Sequence, residues 1–303
     1  MANTKEIKDH IASVSQTQKI TNAMYLISST KMERARRDLE KTRPYFIALR
    51  QEIRQIFRSY GEDIDSRYFY PDKDDADCTY GCLVITADRG LAGSFNQNVM
   101  RLAEQLREEH ADTRFFVVGE YGRHYFMQHG IPIEQSFLYT AQNPTMQRAR
   151  DITGVMLGQF DEGELDKLFI AYTDMKNQMT EEAHLTRALP FHREVFVMAE
   201  EEDEKPDLEF LPSVTEVMEA AMRSYAAGYV YSALVDSFCC EQNARMRAMK
   251  SANDNAAEIL DELSMEYNRV RQADITQQIT EVSAGAKAQA AARAKRGREA
   301  SGI

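Results

Sequence analysis

The stretch KEIKDHIASVSQTQKITNAMYLISSTKME, residues 5–33, contains neither proline nor glycine and carries apolar residues at helical spacing: Ile7, Ile11 and Val14, then Ile20, Met24 and Ile27. Steps of three and four place side chains on one face of an α-helix. The helical reading runs from Lys5 to about Arg58, interrupted by Pro44 alone, with Gly61 just past its end. The other end of the chain behaves alike. From Val214 to Val282 there is no proline and one glycine, Gly228. A second stripe passes through Met246, Met249, Ala256, Ile259, Leu263, Tyr267 and Val270, and later Ile279 and Val282. At 1.5 Å per residue the two helices would be roughly 80 Å and 100 Å long. Neither buries its stripe alone, and since both leave one hub the simplest pairing is antiparallel. The seam is thin and partly polar (Thr17, Gln18, Thr21), weaker than a leucine zipper. A sleeve of other protein around it is expected.

Between the ends the pattern changes. Cys82-Leu83-Val84-Ile85-Thr86 reads as a buried strand, followed by a glycine-containing turn and a helix to about Glu109. Arg114 to Val118 is a second strand ending at Gly119, with a helix to Gln128 and a stop at Gly130. Asn143-Pro144 opens a helix to about Phe160, and strands are expected at Lys167–Tyr172 and Glu194–Met198. Strand and helix alternating across short turns predict a doubly wound α/β domain. The fold class is therefore α/β, with a long antiparallel coiled coil of the terminal helices. The segments are 1–60 for the first helix, 61–210 for the hub, 211–290 for the second helix and 291–303 for a basic tail expected to fray. Asp72–Asp77 and Glu200–Pro206 read as exposed acidic loops.

Composition narrows the class. Of 303 residues 43% are hydrophobic and 28% charged, with no Trp and 15 Met. With a mean hydropathy of −0.52, that describes a real core beneath much solvated helix surface. No apolar run spans a membrane, the first residues show no signal core, and four Cys fit a reducing compartment. The expectation is a soluble, cytoplasmic protein. The net charge of −11 is uneven. Lys31 to Arg58 carries nine basic against four acidic residues, and the tail from Lys287 carries five bases against Glu299. The basic stretch lacks interleaved aromatics on an acidic protein, which argues against nucleic acid.

Catalytic motifs are not found. Asp88-Arg89-Gly90-Leu91-Ala92-Gly93-Ser94-Phe95 sits where phosphate loops sit, between strand and helix, but has neither the Gly-Lys-Ser/Thr ending nor G-x-G-x-x-G spacing. A tight turn accounts for it better than nucleotide binding. Cys78 and Cys82 lack the second pair that a zinc site needs, and Cys239 and Cys240 read as small packing residues. None of the six His stands in a metal or nucleophile motif. Tyr139, Tyr225, Tyr229 and Tyr231 read as core or groove aromatics. No catalytic, cofactor or metal residue is assigned.

Particular runs resemble the gamma subunit, the central stalk, of the rotary F-type ATP synthase. They are Lys5–Lys8, Ile11–Val14, Thr17–Met24 and Ser29–Met32 at the start, Ala244–Ala256 and Tyr267–Thr276 near the end, and the Asp88–Asn96 turn. The resemblance covers nearly the whole chain in family order. It implies terminal helices coiled inside a hexamer of alternating alpha and beta subunits, and a hub seated with the epsilon subunit on the membrane c ring. Ion flow would turn the ring and the shaft, driving three catalytic sites in sequence by differential contact. The chain itself would be a non-catalytic subunit of an ion-transporting ATPase, peripheral on the cytoplasmic face of a bacterial membrane. Residue by residue, the resemblance places Met24 and Arg245 toward the beta catch region and Gln272 and Thr276 at catch loops further up. Lys31, Arg34, Arg36 and Arg37 would face acidic beta loops, giving orientation more than affinity. Departures are Ala92 and Ser94, where Cys and Gly are frequent, the Cys239-Cys240-Glu241 run, Leu211 in place of a Glu, and a longer tail beyond Gly285. The plastid two-cysteine insertion is missing. Two rival classes are a non-rotating coiled-coil scaffold and a nucleotide-dependent enzyme using the Asp88 turn.

Overall fold

The computed structural model describes residues 4–60, 66–69, 78–138, 141–175, 180–192, 196 and 210–300. It divides into two compact units: Tyr25–Ala248, and Met1–Met24 with Met249–Ile303. In chain order the elements are α1 (Thr4–Tyr60), a 3₁₀ turn (Arg67–Phe69), β1 (Tyr80–Ile85), α2 (Phe95–Glu109), β2 (Arg114–Val118), α3 (Glu120–Gln128), β3 (Gln135–Phe137), α4 (Met146–Glu162), β4 (Lys167–Met175), β5 (Glu181–Leu189) and α5 (Val214–Ala300).

The larger unit is built on a five-stranded sheet of order β3-β2-β1-β4-β5. The pairs β2–β3, β1–β2 and β1–β4 are parallel, and β5 closes the edge antiparallel to β4. Because side chains alternate across a strand, β1 and β2 feed two cores. Cys82, Val84, Phe115 and Val117 pack with α2 and α3 through Val99, Met100 and Phe126. Leu83, Ile85, Phe116 and Val118 pack on the other face with Ile152, Met156 and Phe160 of α4, Ile53 and Ile56 of α1, and Met222, Val230 and Leu234 of α5. The terminal helices are thus one layer of the hub itself, and each fully buried Leu, Ile or Phe contributes about 1.5–3 kcal/mol.

Polar bonds fix the same layer. Arg223 of α5 pairs with Asp161 at 2.6 Å, and Arg67 donates to the Asp161 carbonyl at 2.6 Å. Asn243 and Arg247 donate to Glu181 at the start of β5, at 2.8 and 2.7 Å. Gly228 lies against the Phe46 ring so closely that a Cβ there would sit 1.9 Å from a ring carbon.

Most expected elements are present within a few residues. Two strands are new. β3 has three residues, too few for any period to show, and β5 is a polar edge strand, EEAHLTRAL, whose alternation is masked by charge. Of the strand expected at Glu194–Met198 only Phe196 is described; it is helical and fully buried, against Phe57, Phe69 and Tyr225. The acidic loops at Asp72–Asp77 and Glu200–Pro206, and Tyr139, lie outside the described residues. Tyr231 is buried, Tyr225 and Tyr229 half-buried. The helix continues through the basic tail to Ala300.

In the smaller unit the coiled-coil seam differs from the expected stripe. On α1 the shielded positions include Thr4, Ile7, Ile11, Val14, Gln18 and Thr21, with Ser15 and Met24 partly shielded beside them, while Ile20 is 52% exposed. On α5 they include Met249, Ala256, Leu260, Leu263, Tyr267 and Val270, with Ala252, Asn253, Ala257 and Glu266 partly shielded beside them, while Ile259 is 42% exposed. The α1 positions named step alternately by three and four, and so do those of α5 from Ala256 to Val270, the spacing of a heptad seam. The register that buries Ile7, Ile11 and Val14 brings Gln18 and Thr21 inward next and turns Ile20 out. Every side chain of 271–293 is exposed, Ile279 and Val282 included.

Gly228→Ala is expected to lower stability by about 1–3 kcal/mol through overpacking against Phe46, outweighing the helix-propensity gain of about 1 kcal/mol. In a Phe46→Ala background the same change should be neutral or stabilising. Urea denaturation of the four chains checks both.

Candidate functional site

The turn after β1 is built by backbone chemistry. Thr86 donates its hydroxyl to the Val118 carbonyl (2.8 Å) and accepts from the Gly122 N–H (2.9 Å). That packing demands glycine at 119, where φ is +96° and a Cβ would lie 2.2 Å from the Thr86 carbonyl oxygen. Asn96 accepts from the Ala87 N–H (2.8 Å), and Asp88 Oδ1 accepts from the Glu120 N–H (3.1 Å). Leu91 adopts a left-handed conformation, φ 64°, at a cost of about 1–2 kcal/mol for a side-chain-bearing residue.

In an open α/β sheet the ligand crevice lies at the carboxyl ends of the strands where connections diverge, here β1 and β4. That place is filled by the protein itself. Cys240 and Ala244 of α5 pack with Ala87, Ala92 and Phe95, with Met175 of β4 alongside. Small residues on α5 let the turn approach closely, so Cys239-Cys240 serves packing. Burial holds both thiols well above their usual range, Cys239 at about 12. The neighbouring cavity, about 400 Å³, is flanked by Asp88 and Glu120 with Arg89 and His124. Glu120 occupies the first turn of α3 and binds Arg123 at 2.6 Å, so the helix end that would attract phosphate already holds a carboxylate.

Arg245 grips this turn. It is only 7% exposed. One guanidinium nitrogen binds Glu241 Oε1 at 2.6 Å; the other donates to the carbonyls of Arg89 (3.2 Å) and Gly90 (3.1 Å). Glu241 is buried too. Desolvation pushes its carboxyl up, and Arg245 and, at longer range, Lys31 oppose the rise. The pair sits at i and i+4, a spacing legible in the sequence; that it turns inward is not.

The other expected contact residues fall in three places. Lys31, Arg34, Arg36 and Arg37 are all exposed on α1. They do not share one face: Arg34 and Arg36 are about 160° apart around a helix. Lys31 and Arg34 line a hollow with Asp38 and the Asn143–Pro144 turn, while Arg36 lines another with Glu40 and Asp236. Asp38 is held below the usual carboxylate range first by its hydrogen bond from Lys41. Met24 is half-buried, and Gln272 and Thr276 are exposed, the Thr276 hydroxyl donating to the Gln272 carbonyl at 2.9 Å. Among the described residues no cluster of His, Cys, Asp and Glu could hold a metal.

The fold and this turn define a class: a pair of long terminal helices carried on an α/β hub whose ligand crevice is packed shut by one of those helices. A family model described as ATP synthase matches residues 3–289. The ATP synthase gamma chain of Ruminiclostridium cellulolyticum is 37% identical over 294 residues, covering 94% of this chain and 98% of that one. A sodium-ion-specific gamma chain from Acetobacterium woodii is 33% identical, covering 94% and 98%. Among solved structures, a chain of the Euglena gracilis mitochondrial ATP synthase in its third rotational state aligns with TM-score 0.64 at 16% identity, covering 96% of this chain and 95% of that one. A chain of the Tetrahymena thermophila central stalk and c-ring structure aligns with TM-score 0.56 at 22% identity, covering 77% and 99%. The chain belongs to the ATP synthase gamma-chain family.

Two outcomes follow from the buried charges. Arg245→Ala strands Glu241 without its cation and should cost about 3–5 kcal/mol in the isolated chain, with Glu241→Gln recovering part of that loss in the double mutant. An unchanged urea midpoint for Arg245→Ala would mean that the residue serves partners alone. Asp236 is raised to about 6, first by desolvation and then by Asp174. Its folded value exceeds the unfolded one of about 3.9, so its protonated form favours folding at low pH, and that benefit is lost as pH climbs from about 4 through 6. Asp236→Asn should therefore stabilise the chain by about 1–3 kcal/mol above pH 7 and leave it unchanged at pH 3, which paired thermal melts would reveal.

Proposed function

We propose that this chain is the rotating central shaft of an F-type ATP synthase, carrying torque between an ion-driven membrane c ring and a catalytic hexamer of alpha and beta subunits, with the epsilon subunit on its hub. The observation that carries the reading is the contrast along α5. Within the hub its face is locked to the sheet, the β1 turn and β5, while 271–293 are exposed on every side. A helix exposed all round is marginal in water, so those residues are ordered by a surrounding sleeve. The turned-out Ile20, Leu26, Ile27, Ile279 and Val282 supply its apolar contacts.

In this reading rotation presents different shaft faces to each catalytic subunit in turn, and differential contact sets which site holds nucleotide. Lys31, Arg34 and Arg37 orient the shaft against acidic beta loops, Met24 meets the catch region, and Gln272 and Thr276 meet catch loops farther along. Arg245 acts from within, holding the β1 turn in shape. Arg36 contributes from a second face. The chain performs no chemistry, and the hexamer supplies it. No described helix is long and apolar enough to cross a membrane; attachment is peripheral, through the c ring on the cytoplasmic side.

A disulfide between Met24→Cys and a cysteine in the beta catch region, formed in the assembled complex, should abolish ion-coupled ATP turnover, and reduction should restore it. Coupled turnover that continues with the link closed would exclude rotation and leave a static scaffold.

A further inference from the structure

Inside the larger unit, α1, α5 and the end of β4 line an open cavity of about 490 Å³, within the range of small-molecule sites. Its walls include Phe46, Tyr225 and Tyr229, and two carboxylates, Asp174 and Asp236, reach it from β4 and α5. We propose that this cavity binds a small organic monocation of the aryl-alkyl ammonium class, its ring among Phe46, Tyr225 and Tyr229 and its ammonium at the Asp174–Asp236 end.

Charge complementarity carries the choice of ligand. Asp236 accepts from Ser232 at 3.0 Å, and Asp174 accepts from the N–H of Met175 at 2.6 Å. Among the described residues neither carboxylate has an ion pair. Arg36 and Arg43 lie on the exposed face of α1, whereas both aspartates are part-buried, so the inner end is negative and the outer edge positive. With Glu40, the ionisable wall carries three acids against two bases, and one added positive charge neutralises it. A part-buried carboxylate without a cation is costly, so an ammonium relieves a penalty that the empty cavity carries. Burial and Asp174 already hold the Asp236 proton more tightly than normal, with Arg36 as the opposing charge across from α1. Aromatic faces add attraction for the same cation. An anion would meet the carboxylates, and a neutral ligand would leave them unpaired.

The test uses the full chain near pH 7.5, titrated calorimetrically with 2-phenylethylamine, with 2-phenylethanol as neutral isostere and 3-phenylpropionate as anion. The amine should bind saturably with one site, roughly tenfold tighter than the alcohol, and the anion should not bind. Asp236→Asn, which is expected to fold at least as well as the parent, should weaken amine binding by roughly fivefold or more. Below about pH 6 the parent should lose affinity while Asp236→Asn stays level. Equal affinity for amine and alcohol, undiminished binding to Asp236→Asn, or no saturable amine binding would each overturn the proposal. None of these outcomes bears on rotation.

Discussion

Arg245 cannot reach outward without dismantling what it holds. Its guanidinium neutralises a carboxylate buried with it and satisfies two carbonyls of a loop that regular structure leaves unpaired. Remove that side chain and one buried carboxylate and two loop carbonyls lose their donor at once, a larger loss than any surface ion pair here could offset. The β1 turn, with left-handed Leu91 at its tip, keeps its shape because α5 grips it from one side and Asn96 and Asp88 tie it from the other. Force applied to the hub sheet therefore reaches α5 through a polar-locked joint as well as through side-chain packing.

The second constraint is economy of hydrophobic burial. An α/β sheet needs both faces covered, and α1 and α5 cover one face with α4. The same two helices elsewhere carry a seam of Ile7, Ile11 and Val14 that passes into Gln18 and Thr21. A polar seam resists tight interlocking, and exposed Ile20 and Ile27 invite contact from outside. A helix that must meet successive neighbours gains from a weak internal grip and an adhesive exterior. Among the described residues Lys31, Arg34 and Arg36 form no ion pair, and charges without one remain available to a partner.

Much of this was legible in the residues. The helix of 57 residues begins and ends within two residues of the reading from proline and glycine placement, and β2 and α3 match it residue for residue. The failures share a cause. Ile20 and Ile259 are apolar at helical spacing and so match the seam in sequence, yet helix rotation is set by the sum of all contacts, and one residue of slip turns a side chain about 100°. β5 is not legible in the sequence, because an edge strand carrying many charges shows no clean alternation. The family resemblance points Arg245 toward the beta catch region; that Glu241 and two carbonyls bind it within the chain depends on how α5 lies on the β1 turn.

The linear order of residues determined what is local: where helices run unbroken, where strands begin, that the Asp88 turn lacks the groups to hold phosphate, and to which family the pattern belongs. Those properties follow from backbone sterics and short-range periodicity, which any window of the chain contains. The tertiary structure alone decided which side of each helix faces inward, that small residues of α5 close the crevice between β1 and β4, and that basic residues a few positions apart on α1 divide between two faces. Burial is a contest among distant surfaces, and its outcome is written in no single stretch.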